Sequence, residues 1–243
     1  MRQQTMNASG KRKIRDPRLI EGVLANLPLM KGVSRQVVRE LSTQSTVLSA
    51  KRGEVVISRG DAVRGLYAIA YGSVKKRLRH PSGAERVLAL LGPGDTFAEV
   101  PALLAHPSRV EAVAIADSML LMINAACISV QTERDPRLAR NVANVLARRL
   151  QALLGELERG MLPSLQRLAA YIDSLAEPGA EPGAWIARLP VSKTLVAARL
   201  DMKKETLSRL LHELAERGTI SVARRVITIH DRAGLAALHR DKM

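Results

Sequence analysis

A chain of 243 residues, 47% of them hydrophobic and with a mean hydropathy of -0.02, is long enough for one large domain or two smaller ones around a sizeable core. Its 38 Lys and Arg against 23 Asp and Glu leave a net charge of +15, a field that favours nucleic acid or anionic membrane surfaces. The single cysteine, Cys127, excludes an internal disulfide and any iron–sulfur cluster held by four thiolates of one chain.

The opening segment, residues 1–20, reads as a basic, loose N-terminal arm without the apolar region of a signal peptide. No apolar run reaches the length of a membrane span, so no membrane partner is expected and the expected location is cytoplasmic. Residues 21–133 are punctuated by Gly53, Gly60, Gly65, Gly72, Gly83, Gly92 and Gly94. Between them stand short branched segments such as "EVVIS", "GLYAIA", "RVLALL", "VEAVAIA" and "MLLMI". Short strands separated by turn residues predict a small antiparallel barrel or roll.

The period then changes. Asp135 and Pro136 suit an N-cap and a first helical residue, and nothing breaks a helix from there to about residue 160. Val142, Leu146, Leu150, Leu153 and Leu157 form a stripe with helical spacing. The segment 134–160 is the candidate dimerisation helix, and from Asp135 to about Glu158 it would run about 36 Å. Such a stripe can pack on its own domain or form a dimer seam, and its length favours the seam.

Residues 161–243 open with a helix, "PSLQRLAAYIDSLA", followed by the loop "EPGAEPGA". Ser192 then caps a helix whose apolar face is Leu195, Val196 and Leu200. Asp201-Met202-Lys203 makes a tight turn into a second helix, "KETLSRLLHELAERG", with Leu207, Leu210, Leu211 and Leu214 on one face. "TISV" and "VITIH" form a hairpin through Ala223-Arg224-Arg225. Helix, turn, helix and hairpin is the layout of a winged helix-turn-helix.

With one Trp, one Phe and three Tyr the chain lacks the stacking platforms of single-strand binders, so the expected partner is double-stranded DNA. The second helix of such a unit presents its first turns to base edges in the major groove. There Arg209 can donate twice to guanine, Glu205 can accept from cytosine N4, and Ser208 can bond either way. Glu205 and Arg209 are also four apart, the spacing of an intrahelical ion pair. Ser192, Lys193, Thr194, Lys203, Lys204, Arg224 and Arg225 fall where phosphates would pass.

The chain resembles the Crp/Fnr family of bacterial transcription regulators over nearly its whole length. The segments that carry the resemblance are "LPLMKGVS" (27–34), "KRGEVVISRGD" (51–61), "GLYAIAYGSVKK" (65–76), "LALLGPGDTFAE" (88–99) and "ETLSRLL" (205–211). It implies an α+β chain: an N-terminal cyclic-nucleotide-binding-like β-roll that senses a signal, a long dimerisation helix, and a C-terminal winged helix-turn-helix. By family habit it would be a homodimeric activator that works with RNA polymerase. Glu205, Ser208 and Arg209 match the reading residues of the Fnr-like branch, which implies a TTGAT-type inverted repeat. Lys203 stands where the family carries a small polar cap.

The resemblance also locates an effector pocket. Glu99 and Arg109 match the family's ribose and cyclic-phosphate anchors. Ala98 replaces a glycine, Val110 a serine, and Leu153 and Leu154 the hydroxyls that hold the base, so cyclic AMP is not expected. An internal Glu99–Arg109 pair is the alternative use of the two anchors. Among family members the closest in feel is the Dnr/Nnr-type subgroup that responds to nitric oxide, which leaves haem open as a cofactor, with His106 the least implausible axial ligand. A buried, inert thiol is expected of Cys127. No catalytic motif stands out, so an enzyme is not expected. The alternatives are a nucleotide-binding signalling module and a sequence-neutral architectural DNA binder.

Overall fold

Glycine in the first half of the chain does two jobs, turning the backbone and letting strands touch. In the computed structural model, which describes residues 3–6, 12–79, 85–179 and 184–240, Gly72 has φ 91°. A Cβ there would collide with the Asp117 carbonyl and the Ser118 hydroxyl, so only glycine fits.

The chain folds as two compact units, Met1–Gln151 and Ala152–Met243. In the first, strands β1 (Gln3–Met6), β2 (Arg12–Arg15), β3 (Ser45–Ala50), β4 (Val55–Ile57), β5 (Gly65–Tyr71), β6 (Val74–Arg79), β7 (Glu85–Leu91), β8 (Thr96–Phe97), β9 (Glu111–Ala114) and β10 (Ser118–Asn124) form two antiparallel sheets. One has the order β1-β2-β3-β10-β5-β8 and the other β4-β9-β6-β7. Helices α1 (Pro17–Ala25), α2 (Arg35–Thr43), α3 (Glu99–Leu103) and α4 (Ala125–Arg134) complete the roll, with the start of α5 (Pro136–Met161).

Period-two alternation serves two cores at once here. Along β5, Leu66 and Ala68 join Ile20, Leu24, Leu41, Ile128 and Leu138 beneath the helices, whereas Ile69 joins Val74, Leu91, Phe97 and Ala114 between the sheets. Leu121 and Ile123 on β10 face the first core and Leu120 the second. A strand buried on both faces reads as a continuous apolar run. That is why "GLYAIA" and "MLLMI" lack polar alternation.

The second unit begins inside α5 and continues with α6 (Ser164–Ser174), β11 (Ala176–Pro178), β12 (Trp185–Arg188), α7 (Lys193–Arg199), α8 (Lys204–Glu216), β13 (Ile220–Ala223), β14 (Val226–Ile229) and α9 (Arg232–Arg240). Its sheet has the order β11-β12-β14-β13. Leu207, Leu210, Leu211 and Leu214 of α8 are all buried. Each such leucine contributes about 1.5–3 kcal/mol relative to exposure, which fixes the face that α8 turns outward. No described helix is long and apolar enough to cross a membrane.

The structure adds elements that the sequence reading lacks. The segment read as a loose arm contains β1 and β2, and β2 pairs with β3; residues 1, 2 and 7–11 lie outside the described residues. Helices α1, α2, α4 and α9 and strands β11 and β12 are likewise additions. His80 and residues 180–183 of the predicted loop lie outside the described residues.

Candidate nucleic-acid interface

Helix α7 starts at Lys193 because the Ser192 hydroxyl accepts from the Leu195 N–H at 3.4 Å. It ends at Leu200, and Asp201 turns the chain with φ 52°, a left-handed conformation that aspartate tolerates better than most residues. The Met202 N–H donates to the Ala197 carbonyl at 3.0 Å. The start of α8 has no side-chain cap, since Lys203 stands at that position; Glu205 in the first turn complements the exposed N–H groups instead.

Arg167 of α6 braces this turn. Its guanidinium donates to the Asp201 carbonyl at 3.3 Å, the Ser164 hydroxyl at 3.1 Å and the Leu162 carbonyl at 3.3 Å. Arg199 of α7 bonds Glu156 of α5 at 2.5 Å, with both side chains mostly buried. The tight turn therefore hangs on two charged anchors, neither of which the sequence reading identified.

Glu205, Ser208 and Arg209 are all exposed on the outward face of α8. Among the described residues none of the three has a side-chain hydrogen bond or ion pair, so the intrahelical Glu205–Arg209 pair that their spacing allows does not form. Further on, the helix places His212 Nε2 3.2 Å from Glu216 and forms the Glu213–Arg217 ion pair. Lys203, Lys204 and Thr194 are exposed and Lys193 is half-buried. Arg224 and Arg225 form the two-residue tip between β13 and β14, exposed, with Arg224 at φ 56°. This face offers Glu205, Ser208, Arg209 and several exposed cations without ion-pair partners among the described residues, whereas the Ser192 hydroxyl is engaged as the cap of α7.

The roll behaves differently. Glu99 is 5% exposed, accepts from the Thr96 hydroxyl at 2.6 Å, and lies 4.0 Å from Arg149 of α5. Arg149 also donates to the Thr96 carbonyl at 2.5 Å. Arg109 is exposed and has no ion pair among the described residues, so the internal Glu99–Arg109 pair is replaced by Glu99–Arg149. Ala98, at the start of α3, has φ 65°, a conformation that costs a residue with a Cβ about 1–2 kcal/mol. Val110 is half-buried, and Leu153 and Leu154 are exposed on α5 in the second unit.

Lys76 is an unforeseen neighbour. It stands two residues from the fully buried Val74, on the same face of β6. Burial pulls its ammonium below the usual lysine range; Glu99 opposes that shift and Arg149 reinforces it. On the other face of β6, Lys75 and Arg77 both bond Glu85 at 2.6 Å, and Arg77 bonds Glu111 at 2.7 Å. Burial pushes the Glu85 carboxyl up, but Lys75 and Arg77 outweigh it and hold it below the usual range.

His106, the one described histidine of the roll, is exposed on the loop after α3. A surface side chain there does not fit as the axial ligand of an enclosed haem. No three His, Cys, Asp or Glu gather as a metal site among the described residues. Cys127 is half-buried rather than buried; burial and the nearby Glu40 raise its thiol, which disfavours the reactive thiolate.

The predicted seam on α5 divides in two. Val142 packs against the roll's own core and Leu146 is half-buried. Leu150, Leu153 and Leu157 are 59%, 51% and 59% exposed, with Leu154 and Met161 exposed beside them. The first turns of the helix thus serve the roll, and its last three turns present an uncovered apolar stripe.

Comparison with known proteins matches each of the two units separately. Residues 47–134 match the cyclic nucleotide-binding domain and residues 166–238 the Crp-like helix-turn-helix domain. The chain is 32% identical over 183 residues to the cyclic AMP receptor protein of Thermus thermophilus, covering 75% of this chain and 82% of the relative. It is 26% identical over 220 residues to a CRP-like cAMP-activated global transcriptional regulator of Mycobacterium tuberculosis, covering 89% and 98%. The solved structure of FixK2 from Bradyrhizobium japonicum shares the fold, with a TM-score of 0.66 at 22% identity over 80% of this chain and 96% of that one. A sensor-type roll, a long helix and an outward-facing helix-turn-helix, matched in order by relatives over most of their length, show that the chain belongs to the Crp/Fnr family of DNA-binding transcription regulators, which are not enzymes.

Proposed function

We propose that this regulator binds a TTGAT-type inverted repeat as a homodimer and activates transcription through RNA polymerase in the cytoplasm. The observation that carries the proposal is the unpartnered state of Glu205, Ser208 and Arg209 at the start of a helix whose opposite face is fully buried. Arg209 donates to guanine O6 and N7, Glu205 accepts from cytosine N4, and Ser208 bonds an adjacent base. A carboxylate costs free energy near phosphates, so Glu205 contributes selectivity and the cations supply the affinity. Ser192, Lys193, Thr194, Lys203, Lys204, Arg224 and Arg225 contact phosphates without reading sequence.

A second copy covers the stripe from Leu150 to Met161, and the dimer axis becomes the axis of the inverted repeat. A signal received in the roll shifts the dimer between arrangements with different affinity for DNA, to the extent that the effector prefers one of them. Two relatives are named for cyclic AMP. Here the ribose anchor Glu99 is already engaged by Thr96 and Arg149 and its charge acts on Lys76. Leu153 and Leu154 stand where the family resemblance puts the hydroxyl partners of the base. The effector is therefore a small molecule other than cyclic AMP. Nitric oxide sensed through haem stays tied to the subgroup resemblance alone, because His106 is exposed.

The test is competition for a labelled TTGAT-type palindrome at fixed salt. Unlabelled palindrome should displace the protein at far lower concentration than a scrambled duplex of equal length. Equal displacement would leave only sequence-neutral binding. Cyclic AMP added to the same assay should leave the midpoint unchanged.

A further inference from the structure

What fixes the start of α8 is not written in its own residues. A helix that presents its first turns to base edges needs a defined first turn, and a capping side chain usually supplies it. Lys203 stands at the capping position and has no acceptor to offer. Two residues earlier Asp201 has φ 52°, a conformation that persists only where the surroundings hold it. Glu205 complements the exposed N–H groups of the first turn in the free chain, yet a carboxylate turned to a base no longer serves that end. The buried leucines begin at Leu207, so they secure the later turns and leave Lys204 and Glu205 to be held by other means.

The hold comes from α6. The Arg167 guanidinium donates to the Asp201 carbonyl at 3.3 Å, and its other N–H groups reach the Leu162 carbonyl at 3.3 Å and the Ser164 hydroxyl at 3.1 Å. A guanidinium aims its donors in fixed directions within one plane, so these bonds set the turn at one register against the chain that enters α6. Leu168, Ala169 and Ile172 bury the helix that carries Arg167, which gives the guanidinium a fixed base. Its Nε is buried with no partner among the described residues, an unfavourable state that the other bonds must outweigh to keep the side chain in place. On the far side of the turn, Arg199 ties the end of α7 to Glu156. All of these residues belong to the unit Ala152–Met243.

We infer that Arg167 is a positioning residue for operator reading: by holding the Asp201 carbonyl it gives the first turn of α8 the registration that a capping side chain would give. It thereby sets where Glu205 meets its base, and it acts through the turn without touching DNA. The inference rests on the operator reading proposed above.

The test uses the full chain as wild type, Arg167→Gln and Arg167→Lys, with a labelled TTGAT-type palindrome and a scrambled duplex at fixed salt. Both variants should lose about five- to thirtyfold in the ratio of palindrome to scramble affinity, the discrimination of one base contact. The loss should be concentrated at the pair assigned to Glu205, and affinity for the scramble should stay at the wild-type level. Lysine keeps the charge but not the fork, so wild-type behaviour of Arg167→Lys would overturn the inference. Amide hydrogen exchange on the free proteins separates positioning from general loosening. The Leu207 N–H, which donates to the Lys203 carbonyl at 3.0 Å, should exchange faster in both variants, while the Leu211 and Leu214 N–H groups keep their protection. Faster exchange along all of α8, equal losses on both duplexes, or an unchanged ratio would each contradict it. Lys203→Ser added to Arg167→Gln supplies the missing cap and should restore both the ratio and the Leu207 protection, even as loss of that cation weakens both duplexes alike. Failure of that rescue would count against the inference. A failure of the operator reading shows itself separately, as a wild-type protein that prefers neither duplex, and the exchange pattern then still tests the positioning by itself. If Arg167→Gln melts far below wild type, Arg167→Lys carries the same comparison.

Discussion

The two polar clusters of this protein are opposites. In the roll, Glu99, Thr96 and Arg149 satisfy one another, and the half-buried Lys76 feels the charges of Glu99 and Arg149. On α8, Glu205, Ser208 and Arg209 have no side-chain partner among the described residues. Buried polar groups must find partners because leaving one unpaired costs about 1–3 kcal/mol. Exposed groups without partners are affordable in water and remain available to a ligand. The contrast supports the proposal that α8 reads sequence and that the roll takes no nucleotide that needs Glu99 free.

The most disruptive way to break the contrast is to remove the dimer that would present two α8 helices to one operator. Leu154→Asp/Leu157→Asp should yield a monomer by sedimentation and weaken operator binding by about 100- to 10,000-fold, the span expected when avidity is lost. Both side chains are exposed in a single chain, so its melting should change little. Next comes Arg209→Ala, which should weaken the palindrome by about 1–3 kcal/mol while leaving scrambled DNA nearly untouched. Lys193→Ala should weaken both sequences alike and lower the salt slope by about 1.

A smaller effect tests the internal side of the contrast. Asp135 is held below the usual carboxylate range by the Ser34 N–H, against the opposing effect of burial, and then by the N–H groups of Arg137 and Leu138 and the Arg137 charge. A carboxylate whose folded value is depressed stabilises above its unfolded value and loses that contribution as pH falls through the folded one. Asp135→Ala should therefore destabilise the sensor unit by about 0.5–2 kcal/mol at neutral pH, the range for a lost helix cap. The gap from wild type in urea unfolding should close as the acid limit is approached. A gap that widened in acid would contradict the assignment.

The helix-turn-helix was legible in sequence because each of its signals is local. Four leucines at helical spacing set the buried face of α8, Ser192 starts α7, and Asp201 marks the turn. The interior of the roll was not legible. No local pattern in "VKKRLR" shows that Lys76 comes within the field of Glu99 and Arg149, which only the tertiary fold brings near it. The Glu99–Arg149 contact joins residues fifty apart, with no spacing rule to link them. Strand β12 escaped notice beside a Pro/Gly-rich loop, although Trp185 on it packs under the Arg232 guanidinium at 3.6 Å. The stripe on α5 gave a correct period but concealed a change of task midway: Val142 meets the roll, whereas Leu157 is 59% exposed.

The most direct test is selection of duplexes from a random library by the full chain, run in parallel with Arg209→Ala. The account predicts enrichment of a two-fold inverted repeat, and loss of preference at one guanine·cytosine pair per half-site in the variant. Enrichment of no motif, or an identical motif from both proteins, would contradict it.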